Sequence, residues 1–471
     1  MDTPIAVVGA GPAGLMLAAE LRLGGAQVTV LERRDRPATE SRASTLHART
    51  MEILASRGLR ELFGELPCEP RGHFGGIPMD LTLPSDFPGQ WKVPQTRTEA
   101  LLADRARSLG AEVRRGWTVR GVTAAGDHVR VTADTARGPR ELRAAYVVAC
   151  DGQDSTVRTL LGADFPGRPA RREMLRADVG GIDVPNRRFE RRERGMVVAA
   201  RNPAGVTRVM VHEFGRPVRA GREPDFGDVV DAWKRVTGED LSGGDPLWVN
   251  AFDDTDRQLA RYRHGRVLFA GDAAHVQMPI GGQALNLGLQ DAVNLGWKLA
   301  AVAGGRVPAD LLDTYHDERH AAGRQVLANI RAQAELLLGT AAVEPVRAVV
   351  AALLAAEPNR VRLAGVVSGL GLRYPAGPDD HPAVGTRLPG VDLHDGRGLL
   401  VAAPSTARDA IAAGWRGRVR TASGPVPATG TTAALIRPDG HLAWAGTDPT
   451  AARPALTRWF GPIDRREKEL S

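Results

Sequence analysis

The chain has 471 residues, 43% of them hydrophobic and 25% charged, which excludes a largely disordered or fibrous protein. At roughly 100–200 residues per domain there is room for two to four domains with sizeable cores. The formal charge is +7, but only four of the 62 basic residues are lysines and the excess is spread along the chain, so no nucleic-acid-binding patch is expected.

The opening reads strand, turn, helix, strand: Ile5–Val8 is a short buried strand, Pro12–Leu23 an amphipathic helix and Gln27–Leu31 a second strand. A helix over Thr45–Arg57 should end at Gly58, the usual residue for a left-handed cap. Residues 68–94 read as loops and short strands, Glu99–Leu109 as a helix, and 117–150 as hairpins ending in the apolar run Tyr146–Cys150. From about 176 to 262 the strand signals lack the βα rhythm of the beginning, which suggests an inserted β-rich domain. A buried strand returns at Arg266–Ala270, followed by a long helix over Leu285–Ala303 and a mostly helical stretch from Leu311 to Ala356. Tyr374–Asp380 reads as a linker, and beyond it Pro438-Asp439-Gly440 is a hairpin turn in a C-terminal α/β unit. Cys68 and Cys150 cannot make a disulfide framework, no secretory signal precedes the first strand, and no apolar run reaches the ~20 residues of a membrane span. A soluble cytoplasmic protein is the expectation.

Three motifs carry chemistry. Gly9-Ala10-Gly11-Pro12-Ala13-Gly14 is G-x-G-x-x-G between a strand and a helix: the first glycine allows the tight turn, the second lets a pyrophosphate approach, and the third lets helix and strand pack closely. Phosphates would then meet the free N–H groups of a helix start. Glu32 closes the second strand, placed for a ribose hydroxyl; its charge would repel a 2′-phosphate, leaving FAD or NAD. Asp151, in Asp151-Gly152-Gln153-Asp154-Ser155, and Asp272, in Gly271-Asp272-Ala273-Ala274-His275, each follow a strand, at the carboxyl end where open α/β sheets bind nucleotides. Pro279-Ile280-Gly281-Gly282-Gln283-Ala284-Leu285-Asn286 then leads into the long helix, whose start would favour negative charge on a reduced flavin.

In this order the three motifs resemble those of group A flavoprotein aromatic monooxygenases, the p-hydroxybenzoate hydroxylase type. Ser41–Thr50, Leu289–Leu299 and Leu312–His316 are similar to bacterial aromatic polyketide hydroxylases of angucycline, anthracycline and tetracycline tailoring. The resemblance implies an α/β fold with a Rossmann-like FAD-binding domain (1–175 and 263–373), an inserted β-sheet substrate domain (176–262), and a thioredoxin-like C-terminal domain (381–464) without the dithiol. It implies FAD bound by Gly9, Gly11, Pro12, Ala13, Gly14, Glu32, Arg33, Arg42, Gln95, Val119, Asp151, Gly271, Asp272, Pro279, Gly282, Ala284, Leu285 and Asn286. Arg42 and Pro279 would lie near the flavin ring, and the motif of Asp151 is also implicated in nicotinamide binding. NADPH or NADH would be the transient reductant, O2 the co-substrate, and a polycyclic aromatic compound the acceptor, hydroxylated through a flavin C4a-hydroperoxide. Baeyer–Villiger or antibiotic-inactivating oxygenation, and more distantly flavin dehydrogenase activity, stay open, and a homodimer is compatible with the resemblance. The family's usual GGQG has Ala284 at its last place, a methyl that is tolerable if φ is negative.

Other residues invite simpler readings. His275 is expected to bond the backbone at a strand end, and His316, Glu318 and His320 share a helix with no second ligand group to make a metal site. Trp233 and Trp248 suit core packing at least as well as ligand stacking, and Asp253 and Asp254 point apart on a strand. The basic run Arg187–Arg194, interrupted by two glutamates, reads as a solvated hairpin tip.

Overall fold

The structure is a computed structural model that describes residues 2–463 apart from 40, 42, 220, 221, 425, 427 and 428. Its largest sheet is organised around five parallel strands in the order Val267–Phe269, Gly138–Ala149, Thr3–Val8, Val28–Glu32 and Glu112–Arg115. The inner strands are apolar almost without interruption because both faces are covered. Helix Pro12–Leu23 crosses helix Gln283–Ala303 where side chains are missing. A Cβ added to Gly296 would come within 2.4 Å of Glu20 Cβ, and one on Gly24 within 2.4 Å of Ala300 Cβ. These close approaches seat the long helix directly behind the glycine turn.

The helix expected from Thr45 begins at Ala48 instead. Thr45–His47 is drawn into a strand by pairing with Gln90–Lys92, a tertiary contact that local pattern cannot show. Gly58 does close that helical segment in a left-handed conformation (φ 66°).

The insertion is a five-stranded antiparallel sheet built from Glu173–Gly180, Arg187–Arg191, Gly195–Arg201, Thr207–Glu213 and Asp245–Asp253. Its two faces separate with the period of two that a pleated strand imposes. Leu175, Ala177, Val197, Val209 and Val211 face helix Phe226–Thr237 and bury Trp233 completely, so Trp233 is a core residue. Met174, Met196, Val198 and Met210 face the other way, toward Met278, Ile280 and Ile330. The arginine run is a solvated tip only at its end, where Arg192–Arg194 turns the hairpin with Glu193 and Arg194 exposed. Before it, Arg187–Arg191 forms an edge strand whose Arg187 is buried against Glu239 and whose Arg191 reaches Glu344 and the carbonyls of Leu337 and Gly339.

After helices Asp313–Leu338, Glu344–Ala355 and Glu357–Ser368, the chain forms a four-stranded sheet in the order Val419–Ala422, Gly398–Ala402, Ala433–Ile436, Leu442–Gly446. The first pair is parallel and the other two antiparallel. Among the described residues no single helix is long and apolar enough to cross a membrane.

Candidate cofactor and active site

The carboxyl ends of the central strands are laced together around the glycine turn. The Gly9 N–H donates to Leu31 O (2.8 Å), Cys150 N–H to Val8 O (2.7 Å) and Ala270 N–H to Ala149 O (3.0 Å). Gly9 has φ 103°, and a Cβ there would lie 2.4 Å from Cys150 O; one on Gly14 would lie 2.1 Å from Gly9 O. Gly11 differs, since a Cβ at that position would meet nothing within 4 Å. Two glycines are therefore demanded by the protein itself, whereas the middle one keeps a space open at a helix start, where a pyrophosphate fits. Beside it Glu32 stands at the end of its strand, its Oε2 accepting from Ala10 N–H (2.8 Å) and its Oε1 from Arg34 N–H (2.8 Å). Arg33 is exposed next to it, and Pro12 and Ala13 form the first helical turn. The open cradle and the adjacent carboxylate fit a dinucleotide cofactor.

The other motif residues are placed as follows. Gly271 (φ 62°) packs against Ala13, and Asp272 beside it is exposed. The Asp151 carboxylate is occupied by the protein: it accepts from Ser155 Oγ (2.6 Å) and Val157 N–H (3.1 Å), capping the short helix Thr156–Leu160. Burial nonetheless raises its pKa above the ordinary carboxylate value. Gln95 opens helix Gln95–Ser108 and donates to Glu99 (2.7 Å). The Val119 side chain is in the core. Arg42 lies outside the described residues.

The turn at Pro279–Gly282 uses two consecutive left-handed glycines, Gly281 (φ 67°) and Gly282 (φ 69°). Pro279 is exposed on it, and Ala284 and Leu285 are half-buried in the first helical turn that follows. Ala284 has a negative φ, since Phe189 is the one non-glycine with positive φ among the described residues. His47 and Asn286 clamp this turn. The His47 Nε2–H donates to Gly281 O (2.7 Å), while Asn286 donates to Thr45 O (3.0 Å) and Gly282 O (2.7 Å) and accepts from His47 N–H (2.8 Å). The Asn286 amide is thus committed to holding the turn. Burial brings the His47 pKa down to about 4, so the ring is neutral.

His275 is bonded not to backbone but to a carboxylate. Its Nε2 lies 2.7 Å from Asp291 Oδ2, both groups fully buried, and Asp291 also accepts from Gly271 N–H (3.1 Å) and Arg319 Nε (2.7 Å). Burial works to raise the Asp291 pKa, but the charges of Arg319 and His275 outweigh it and hold the carboxyl below its usual range. This carboxylate ties both flavin-motif segments to helix Asp313–Leu338. Sequence reasoning missed it, as it missed His47. Asp291, the one acid in helix Gln283–Ala303, was the available signal.

The apolar face of the inserted sheet closes over the same turn through Met174, Met196, Met210, Phe214 and Phe252. Trp248 lies on that face beneath the Arg176 guanidinium (4.6 Å). An open cleft of about 500 Å³ borders Gln283 and Asn286, with Gln290, Gln325 and Ser368 among its lining residues. Asp254 caps Arg171 and Arg172 (2.7 and 2.8 Å), apart from Asp253, and no metal-binding group of His, Cys, Asp or Glu occurs among the described residues.

An open glycine cradle, a strand-end carboxylate and a clamped Gly-Gly helix start define an FAD-binding oxidoreductase fold with a lid-like β insertion. Comparison with known proteins agrees: the family model described as FAD binding domain matches residues 2–330, and that described as Aromatic-ring hydroxylase, C-terminal, matches residues 367–462. The chain belongs to this family of FAD-dependent aromatic-ring hydroxylases and is a monooxygenase. The 12-dehydrotetracycline 5-monooxygenase/anhydrotetracycline 6-monooxygenase of Streptomyces rimosus is 40% identical, covering 98% of this chain and 99% of that protein. The crystal structure of CabE, an aromatic hydroxylase from angucycline biosynthesis, superposes with a TM-score of 0.94 at 45% identity, over 98% of this chain and 100% of CabE. The dialkyldecalin synthase of Streptomyces rugosporus is 38% identical over 98% of this chain and 100% of its own length, so the scaffold also carries a protein named for a different reaction.

Proposed function

We propose that this protein hydroxylates a polycyclic aromatic polyketide, using FAD, O2 and NADPH or NADH. In the balanced reaction one oxygen atom of O2 enters a ring C–H bond as hydroxyl and the other leaves as water, with the nicotinamide supplying two electrons. Bound FAD supplies the oxygen-activating chemistry. The protein's own part is binding, orientation and exclusion of water. Gly9, Gly11, Pro12, Ala13 and Gly14 would receive the pyrophosphate, Glu32 and Arg33 the adenosine ribose, and Gln95, Val119, Gly271 and Asp272 the rest of the nucleotide and ribityl chain. Pro279, Gly282, Ala284, Leu285 and the turn held by Asn286 would meet the flavin ring, with Arg42 nearby. Asp151 supports the site by fixing the helix start at Ser155.

The observation that carries the substrate class is the Met- and Phe-lined face of the insertion over Met278 and Ile280. These side chains are packed against one another, and soft, adaptable methionines of this kind can re-pack around a flat, rigid polycycle. The boundaries 1–175 with 263–373, 176–262 and 381–464 divide the chain accordingly. The C-terminal strand order supports a thioredoxin-like unit, without the dithiol, and a cytoplasmic location suits the two unpaired cysteines.

Incubating FAD-loaded protein with NADPH or NADH and a panel of hydroxylated anthraquinones and angucyclinones under 18O2 tests this reading. Expected is a product heavier by one labelled oxygen, together with substrate-stimulated nicotinamide oxidation. An isomerised product formed without oxygen uptake would instead mark a cyclisation catalyst and sink the proposal.

A further inference from the structure

The C-terminal sheet carries none of the three cofactor motifs, and no cysteine follows Cys150. One side chain nevertheless reaches from it toward them. Tyr374 is stitched to this sheet through its backbone: its N–H donates to Gly385 O (2.9 Å), and Gly385 N–H donates to Leu442 O (2.9 Å) on strand Leu442–Gly446. A Cβ on Gly385 (φ 82°) would lie 2.2 Å from Tyr374 O, so the two segments are in direct contact. The Tyr374 ring is buried against His441, with centroids 4.2 Å apart. Its place is therefore set by the C-terminal unit.

The Tyr374 hydroxyl meets the FAD-binding domain. It accepts from Arg319 Nη1 (3.2 Å), and the same guanidinium donates through Nε to Asp291 Oδ1 (2.7 Å) and through Nη2 to Leu287 O (3.2 Å). The other carboxylate oxygen, Asp291 Oδ2, accepts from Gly271 N–H (3.1 Å) and lies 2.7 Å from His275 Nε2. Arg319, Asp291 and His275 are fully buried. A guanidinium is a planar fork with donors at fixed angles, so the partners of Nη1 and Nη2 decide where Nε points. At this depth bulk water cannot replace a lost bond, and a turn of the fork is passed on to the carboxylate. The carboxylate holds Gly271, and Asp272 is the next residue. A second line leaves the same hairpin: Asp439 O accepts from Arg49 Nη2 (2.7 Å) in helix Ala48–Ser56, directly after His47, which clamps Gly281 O.

We infer that the C-terminal unit positions the FAD site, with Tyr374 and Arg319 as positioning residues that act through Asp291 on the Gly271–Asp272 loop. A precisely placed site needs side chains whose own orientations are locked by further hydrogen bonds, and Tyr374 supplies that lock from outside the FAD-binding domain. Without the hydroxyl, a buried N–H of Arg319 is left unmatched and the fork turns toward another acceptor. The inference rests on the reading that Gly271 and Asp272 meet FAD.

Fluorescence titration of the apoprotein with FAD, with a urea midpoint for every variant, tests the relay. Tyr374→Phe deletes the hydroxyl and keeps the ring on His441; it should raise the FAD dissociation constant about fivefold. Asp291→Asn, which removes the charge at the centre of the relay, should raise it about tenfold or more. Asp272→Ala should also weaken FAD about tenfold, and adding Tyr374→Phe to it should change affinity by less than about twofold, because Tyr374 acts through that loop. Val401→Ala, in the core of the C-terminal sheet, should lower the urea midpoint and leave FAD affinity within about twofold. Normal FAD affinity in Tyr374→Phe overturns the proposal even where Asp291→Asn binds poorly, since the carboxylate would then act without the C-terminal unit. A full second loss in the double variant overturns it too. So does a loss in Val401→Ala equal to that in Tyr374→Phe, which would trace the effect to stability. Unchanged FAD affinity in Asp272→Ala overturns the cofactor placement together with the relay.

Discussion

Two buried polar regions of this protein are built on opposite principles. Where the C-terminal hairpin Arg437–His441 enters the seam between helices, every charge has a partner. Arg437 donates to both oxygens of Glu318 (2.6 and 2.9 Å), Lys298 reaches Glu318 (2.7 Å), and Arg57 makes two bonds to Glu20 (2.8 Å each) and one to Pro438 O (2.7 Å). Around the turn at 275–283 the reverse holds. His47 Nδ1, His275 Nδ1, the Gln283 and Gln333 Nε2 groups and the whole Gln277 amide are buried without partners. The Gln283 and Gln333 side chains both lie within 3.7 Å of where a Gly281 Cβ would stand. Satisfied charges hold parts together, whereas several unmatched dipoles at a turn beside the cofactor motifs are groups that a ligand can satisfy.

Acid attacks both regions at once and should have the largest effect. Burial lowers His47 and His441 to about 4, and burial with neighbouring cations lowers His73 to about 3, from an ordinary 6.5. Between pH 6.5 and those values the unfolded chain takes up protons that the folded protein refuses. Stability is therefore complete above pH 6.5 and is lost as pH falls. The slope is about 1.4 kcal/mol per pH unit for each histidine, or about 4 for the three together. Urea titrations from pH 7 to 4.5 would show this, and His47→Gln should remove about a third of the slope. A flat profile would mean these rings are already protonated in the fold.

Arg437→Ala breaks the satisfied region alone. It strands Glu318 and Asp439, which Arg437 and its neighbours hold below the usual carboxylate range against the opposing effect of burial. It also removes a guanidinium from the Trp459 ring (4.5 Å). Removing one partner of a buried pair costs about 3–5 kcal/mol. The loss should appear as a lower urea midpoint and as proteolysis near Tyr374–Asp380. An unaltered midpoint would show that the web carries no stability.

Gly11→Ala breaks the other region while sparing the fold. Its Cβ meets no protein atom within 4 Å, so the apoprotein should unfold within about 0.5 kcal/mol of wild type. The methyl occupies the pyrophosphate space, and FAD affinity, read by fluorescence titration, should fall at least tenfold. Normal flavin affinity in this variant would place the pyrophosphate elsewhere.

The same contrast explains what was legible in the sequence. The glycine turn, the strand-end acids and the Pro438-Asp439-Gly440 turn are local, so their spacing reports their geometry. Helix Phe226–Thr237 was missed in a stretch read for its strand signals, although the Asp225/Asp228 capping box and the left-handed Gly238 behind it were a local signal for it. The web was not legible, because Arg437 meets Glu318 across 119 residues and Arg57 meets Glu20 across 37. For the same reason Arg187 and Arg191 looked as solvated as the tip that follows them: Glu239 and Glu344 lie far along the chain. Orphaned groups are harder still, since a glutamine without a partner has the same letter as one that is satisfied.

Ala284→Gly should have the smallest effect, and it sharpens where the ligand side of the turn begins. Ala284 sits in the first turn of helix Gln283–Ala303 with ordinary helical backbone, so glycine costs backbone entropy there and relieves no strain. Stability should drop by about 0.5–1 kcal/mol, with FAD affinity and the flavin absorption spectrum nearly unchanged. That outcome assigns recognition at this helix start to Gly281, Gly282 and the unmatched Gln283 Nε2, all of which the substitution leaves in place. A tenfold gain in FAD affinity would instead show that the methyl stands against the flavin, and the space completed by the ligand would then extend one residue further into the helix than the orphaned groups indicate.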